Sequence, residues 1–177
     1  MRQPQPIKNP QDLGEIGQEC IRRISVLTDP AAFILVTHIF TEHLINQILL
    51  KFCPQFDLTD HHKIDLTYSQ KLAVVFSIEK LPERLFQNLK RLNKLRNDIA
   101  HSIDFDFTKM DLNYHTMMHP DFSPHWFKPS YDPAAEQHHV MNVVNVVFVN
   151  TYFALHSHCV NELGFKKIPL SAPKKLE

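Results

Sequence analysis

Apolar residues recur at every third or fourth position along most of this chain, which is the spacing of one face of an α-helix. Five such stretches cover residues 11–27, 31–52, 69–78, 82–101 and 134–163. Only three glycines occur, and few stretches alternate between apolar and polar residues as a half-buried strand would. The pattern therefore predicts an all-α protein, built as an up-down bundle of four to five main helices.

The ends of the predicted helices carry residues that favour starting and stopping. A capping Asn or Asp followed by proline stands before three of the helices, at residues 9–10, 29–30 and 132–133. The side-chain oxygen accepts from a backbone N–H, and proline at the first turn lacks only a donor that would be unpaired anyway. Pro82 opens the fourth helix in its first turn, and Gly164 is a left-handed terminator for the last. The valine-rich run at 143–147 could form a strand, but its length, cap and lack of a partner strand favour a buried helix.

Between the last two helices, residues 102–131 lose the helical spacing and contain several prolines and aromatic side chains. A connection of this length inside a compact domain is usually functional or packed onto the core. The aromatic content argues against disorder. We expect a single domain over residues 1–165 with this long irregular loop before its last helix, followed by a flexible tail over 166–177.

Composition narrows the class of protein. Hydrophobic residues make up 44% and charged residues 21% of the 177 positions, as in a soluble globular protein. Lys plus Arg and Asp plus Glu number 19 each, so any binding to nucleic acid must come from a local basic patch. The amino terminus lacks the apolar core of a signal peptide, and asparagines interrupt the most apolar run, at 140–155. We expect a cytoplasmic protein that does not enter a membrane.

The cysteines and histidines give no pattern for a metal or redox site. Cys20, Cys53 and Cys159 are widely spaced and lie on or beside apolar segments, which predicts buried, reduced thiols. No CxxC pair occurs, and none of the 12 histidines belongs to a three-ligand zinc pattern. We therefore expect no metal and no cofactor.

The residues with the clearest chemical potential close the fourth helix, at positions 96–101. Arg96 is a permanent cation whose fork of donors suits phosphate oxygens, and His101 can exchange a proton near neutral pH. Asn97 and His101 share one helix face with Lys94 and Asp98. Arg96 and His101 are five residues apart, about 140° around an ideal helix. A long arginine reach, a helix that ends near His101, or a second copy across a two-fold dimer would bring them together.

The charge on the same helix fits a phosphate-bearing ligand. Basic residues outnumber acidic ones there until Asp98, and Lys90, Arg91 and Lys94 are the candidate contacts to an RNA backbone. In the following loop, the aromatic residues that could stack on bases are Tyr114, Trp126 and Phe127.

Each of these side chains also has a purely structural explanation. Arg96 could pair with Asp98 or Glu42, and His101 could cap the negative end of its helix dipole. The basic strip could be a solvated helix face, and the loop aromatics could belong to the core or to an interface.

The stretch that begins at residues 68–71, passes through 81–82 and ends at 96–101 resembles the HEPN superfamily. Its layout is similar to the mannitol-repressor-like and related uncharacterised bacterial members. The family motif is an arginine, commonly followed by Asn, Asp or His, then a few residues and a histidine. Arg96, Asn97 and His101 match it in full. The resemblance covers residues 31–106 well and extends to the helix at 134–163.

The resemblance implies a helical bundle that dimerises through the motif-bearing helices and cleaves RNA without a metal. His101 would act as general acid/base and Arg96 would stabilise the phosphate, while Asn97 and Asp98 would support the site and Glu42 would position Arg96. The products would carry 2′,3′-cyclic phosphate and 5′-hydroxyl ends. Many members are toxins paired with an antitoxin, or components of phage defence. The alternative implied by the same family is a non-catalytic regulator or protein-interaction module.

Overall fold

Five helices account for most of the chain that the structure, a computed structural model, describes. It describes residues 14–54, 66–102, 105–107, 136–165 and 168, without the side chains of 136–146. The helices are α1 (Gly14–Ile24), α2 (Pro30–Phe52), α3 (Tyr68–Ser77), α4 (Glu83–Ala100) and α5 (Glu136–Asn161). The described residues include no strand, and the valine-rich run lies within α5. The predicted all-α bundle is therefore confirmed.

Helix α2 lies at the centre of the bundle and packs against each of the other four helices. It is apolar around most of its circumference, as a helix with neighbours on several sides must be. Ile34, Leu44, Ile45 and Ile48 are fully buried. Each buried aliphatic side chain of this size stabilises the fold by about 1.5–3 kcal/mol. α2 therefore holds the orientation of the shorter helices around it.

The helix ends follow the predicted chemistry where the structure describes them. The Asp29 carboxylate accepts from the backbone N–H groups of Ala31 and Ala32, at 3.1 and 3.2 Å, so this predicted cap is confirmed. Gly164 adopts φ +66° just after α5, as a left-handed terminator does. Pro82 is the residue before α4 rather than its first residue, a difference of one position. The caps predicted at 9–10 and 132–133 lie outside the described residues.

Helix α3 begins with a capping box that the hydrophobic pattern did not reveal. The Thr67 hydroxyl accepts from the Gln70 backbone N–H, and the Gln70 side chain accepts from the Thr67 backbone N–H. A Thr followed three residues later by Gln is the local signal for this motif. The reciprocal bonds fix the first turn of α3 at the end that faces the candidate site.

The three cysteines are free and buried, as the sequence predicted. Burial raises the pKa of the Cys20 and Cys159 thiols to about 12, so both stay protonated at neutral pH. Burial likewise raises the pKa of the Tyr152 hydroxyl, which lies in the same part of the core. The two thiols therefore pack as apolar side chains and have no thiolate to offer to a ligand.

One helix in the described part of the chain, α2, is long and apolar enough to cross a membrane. Over half of its most apolar window, 56%, is buried inside the bundle, as in the core helix of a soluble protein. After α4, Phe105 and Phe107 fold back on the core and pack edge to face with ring centroids 4.9 Å apart. The rest of the predicted irregular segment, with Tyr114, Trp126 and Phe127, lies outside the described residues.

Candidate functional site

The carboxyl end of α4 places the motif residues at the surface of the bundle. Leu85, Leu89, Leu92 and Leu95 are buried and anchor the helix against α2, α3 and α5. The helix ends at Ala100, and the backbone N–H of His101, the C-cap residue, donates to the Asn97 carbonyl at 3.0 Å. Arg96 and His101 are both exposed, and Asn97 and Asp98 are half-buried. Because the regular helix stops just before His101, the angle of about 140° that separates Arg96 and His101 on an ideal helix does not apply to this pair.

Arg96 does not form the structural ion pairs that its sequence neighbours suggested. Asp98 pairs with Lys94 at 2.5 Å. Glu42 pairs with Lys71 at 2.7 Å, so the structure gives it a partner other than the arginine it was expected to position. Arg96 belongs to none of the ion pairs between described residues.

The hydrogen bond that Arg96 does make is local. Its Nη1 donates to Asn97 Oδ1 at 2.9 Å. This contact holds the guanidinium at one edge. The guanidinium has five N–H donors, and within the described residues one of them is used in this bond.

A buried histidine that the sequence reasoning missed lies behind the motif. His38 of α2 is 5% exposed, and its Nε2 lies 3.0 Å from Asn93 Oδ1 of α4. A carbonyl oxygen only accepts, so His38 Nε2 carries the proton. Asn93 Nδ2 then donates to the Ser69 hydroxyl of α3 at 2.9 Å. This His38–Asn93–Ser69 chain ties three helices together beside Asn97.

The surroundings of His38 keep its imidazole neutral at neutral pH. Burial lowers its pKa, while the Asn93 hydrogen bond and the Glu42 charge act in the opposite direction. The positive charges of Arg96 and Lys71 lower the pKa further. A histidine within an apolar helical run was the available signal in the sequence, but its partner is 55 residues away.

The predicted RNA contacts divide between two sides of α4. Lys90, Arg91 and Lys94 are all exposed. Lys90 and Lys94 border a cavity of about 460 Å³ between α3 and α4, whereas Arg91 does not. The lining residues are Ser69, Leu72, Ala73, Phe86, Lys90, Asn93, Lys94, Asn97 and Asp98. The cavity therefore reaches from the middle of α4 to the motif.

Comparisons with known proteins add no relative. A scan against protein-family models and searches of the curated proteins and of the solved structures found no match for this chain. The resemblance to HEPN proteins therefore rests on the motif and on the place of the motif in a helical bundle.

Proposed function

We propose that this protein is a cytoplasmic, metal-independent endoribonuclease of the HEPN type, acting as a homodimer in a toxin–antitoxin or phage-defence system. The observation that supports this most is the arrangement of Arg96 and His101 at one exposed helix end, with Arg96 outside the ion pairs of the described residues. A guanidinium and an imidazole open to solvent can both reach a phosphodiester.

The proposed reaction is a transesterification within the RNA strand. His101 removes the proton from a ribose 2′-hydroxyl, and the 2′-oxygen forms a bond to phosphorus. The bond from phosphorus to the 5′-oxygen of the next nucleotide breaks, and that oxygen takes up a proton from the protonated imidazole of a second copy. Arg96 stabilises the negative charge that grows on the phosphate oxygens. The products carry a 2′,3′-cyclic phosphate and a 5′-hydroxyl.

A two-fold dimer is proposed because two protonation states of histidine serve the two halves of this reaction. An isologous interface places the same helix end opposite itself and doubles both side chains around one groove. Leu35 and Ile39, one turn apart on α2 and 37% and 62% exposed, offer apolar surface for such an interface.

The direct test is cleavage of labelled single-stranded RNA by purified protein in EDTA. His101→Ala should lower the rate by about 10²–10⁴, the usual contribution of general acid–base catalysis. Ser102→Ala, at the exposed neighbouring position, is the matched control and should cut at the wild-type rate. Equal cleavage by wild type and His101→Ala would contradict the proposal. Absence of cleavage together with a co-purifying protein would favour the regulator or interaction module instead.

A mixing experiment tests the shared groove. Arg96→Ala and His101→Ala are each expected to be inactive alone. The proposed groove uses both histidines, so a dimer that mixes wild-type and His101→Ala copies keeps one histidine and should lose nearly all of its activity. Independent sites within each copy would instead leave this mixed dimer about half of the wild-type activity. Mass measurement of the mixture by light scattering confirms that dimers are present.

A further inference from the structure

The cavity between α3 and α4 has the volume and the kinds of lining side chain that suit a nucleotide. Its volume of about 460 Å³ falls within the range of small-molecule pockets. Its apolar wall consists of Leu72, Ala73 and Phe86. The Phe86 ring stacks on Phe76 with centroids 4.1 Å apart and planes 13° apart, so its orientation is fixed by packing. A flat apolar group such as a base can rest against this wall.

The neutral polar side chains of the lining are Ser69, Asn93 and Asn97, and the oxygen of each already accepts a hydrogen bond from another side chain of the protein. Asn93 Oδ1 accepts from His38, and Asn97 Oδ1 accepts from Arg96. The Ser69 hydroxyl oxygen accepts from Asn93, which directs the hydroxyl proton elsewhere. After its bond to Ser69, Asn93 has one N–H left for a ligand in the cavity, and within the described residues Asn97 retains its N–H groups and Ser69 its O–H.

The charged side chains at the cavity mouth add further donors. The Lys90 ammonium lies over the Phe86 ring, 5.5 Å from its centroid, so it covers part of the apolar wall. The Lys94 ammonium is paired with Asp98, but its side chain is 77% exposed and such surface pairs are weak. A phosphate at the mouth would meet both ammonium groups. The lining is thus rich in donors, and the Asp98 carboxylate, already paired, is its charged acceptor.

We propose that this cavity holds one nucleotide of the RNA strand beside the scissile phosphate and prefers a keto base, uracil or guanine. The inference rests on the proposed ribonuclease function, since it gives that site a base preference. Uracil and guanine present a carbonyl oxygen where cytosine and adenine present an amino group. The N–H groups of Asn93 and Asn97 match the carbonyl and would oppose the amine.

Binding of nucleoside monophosphates to the full chain tests this directly, with titration followed by NMR or calorimetry. UMP and GMP should bind about tenfold more tightly than CMP and AMP, the lower end of the discrimination that matched hydrogen bonds give. Ala73→Phe, at an exposed wall position, should fill the cavity and weaken UMP binding about tenfold. Arg84→Ala, exposed on the same helix but outside the cavity, is the control and should bind UMP as wild type does. Equal affinity for the four nucleotides, or unchanged binding by Ala73→Phe, would overturn the inference.

A second variant tests the donor argument without changing the cavity volume. Asn93→Asp replaces an amide N–H₂ by an acceptor of the same shape. All four monophosphates carry the same charge, so the ratio of their affinities is insensitive to the added carboxylate. This ratio should fall to about one or reverse toward CMP and AMP. A ratio that remains at the wild-type value would exclude Asn93 as the group that reads the base.

The failure of this inference can be told apart from the failure of the proposed function. His101→Ala should still bind UMP, because His101 does not line the cavity. Nucleotide binding without RNA cleavage by wild type would remove the ribonuclease proposal and leave the base pocket. Cleavage that depends on His101 but shows no preference for cutting beside uracil or guanine would remove the pocket and leave the ribonuclease.

Discussion

The carboxyl ends of α5 and α4 are closed in opposite ways. At α5, the Leu163 backbone N–H donates to the His158 carbonyl, and Phe165 donates to Cys159, at 3.1 and 3.0 Å. The Lys51 ammonium of α2 then donates to the carbonyls of Leu163 and Gly164, at 2.6 and 3.0 Å. It also lies 4.4 Å from the centroid of the Phe165 ring. The carbonyl groups just after α5 are thus bound by an exposed lysine of the central helix α2.

The end of α4 receives no such side chain from the described residues. Its last turn closes on backbone bonds alone, from His101 to Asn97 and from Ser102 to Ile99. The cation nearest this end, Arg96, bonds the Asn97 side chain rather than a terminal carbonyl. A cationic side chain near a helix end can therefore bind the terminal carbonyl groups and stabilise the helix, as Lys51 does, or leave those carbonyl groups to the backbone, as Arg96 does.

The strongest test of this contrast is Arg96→Ala. Losing a preorganised donor to the phosphate should lower RNA cleavage by about 10²–10³. The free energy of unfolding should change by less than about 0.5 kcal/mol, because Arg96 is exposed and outside the ion pairs. Paired cleavage assays and urea denaturation measure both effects. Arg84→Ala, exposed near the start of α4, is the control for loss of a positive charge. A large loss of stability in Arg96→Ala would make the two helix ends alike.

The opposite result is expected for Lys51→Met. This variant keeps an unbranched side chain but loses the two hydrogen bonds to the end of α5. The expected cost is about 1 kcal/mol, at the low end for charged donors because Lys51 is exposed. The midpoint of thermal unfolding should fall by about 2–4 °C, and RNA cleavage should stay at the wild-type rate. Lys51→Arg, which retains donors, should lie between the two. A loss of cleavage in Lys51→Met would show that the α5 end also contributes to function.

The smallest expected effect concerns two histidines, the buried His38 on α2 and the half-buried His158 on α5. Burial lowers the pKa of His38 and of His158, whose Nε2 donates to the Lys80 carbonyl at 3.0 Å. The unfolded chain therefore binds protons at higher pH than the folded chain does. Each histidine contributes stability that is complete above its ordinary pKa of ~6.5 and is lost as the pH falls toward the lowered value.

Thermal unfolding measured across this pH range tests both histidines. The wild-type midpoint should fall as the pH is lowered through ~6.5. His38→Gln and His158→Gln keep an N–H donor but do not titrate, so each should flatten part of this dependence. If only His158→Gln flattens it, the His38 environment is more open to water than its burial indicates. This outcome would weaken the case for a fixed Asn93 in the cavity.

The sequence predicted the parts of this fold that depend on neighbours along the chain. The helical spacing located the five helices of the described residues, and the Asp29 cap and the Gly164 terminator marked two of their ends. Apolar context predicted the buried cysteines. The Thr67–Gln70 capping box was readable by the same local rule but was not read. Local patterns work here because helical period and capping involve residues no more than a few positions apart.

The candidate site was only partly readable from the sequence. Arg96, Asn97 and His101 are contiguous enough to stand out as a motif, and their exposure agrees with a role toward a ligand. The pairing of Glu42 was not readable, because the sequence argument offered only Arg96 and the actual partner is brought near by the packing of α3 against α2. The structure selects Lys71.

Local patterns along the chain were enough to place the helices of the described residues, the Asp29 cap, the Gly164 terminator, and the motif of Arg96, Asn97 and His101 at the end of α4. Tertiary structure alone decided that His38 meets Asn93, that Asn93 meets Ser69, and that a cavity lies beside them. The physical reason is separation along the chain. Partners 24 and 55 residues apart meet only after α2, α3 and α4 have packed. Hydrogen-bond geometry at that contact then decides which donors face the cavity.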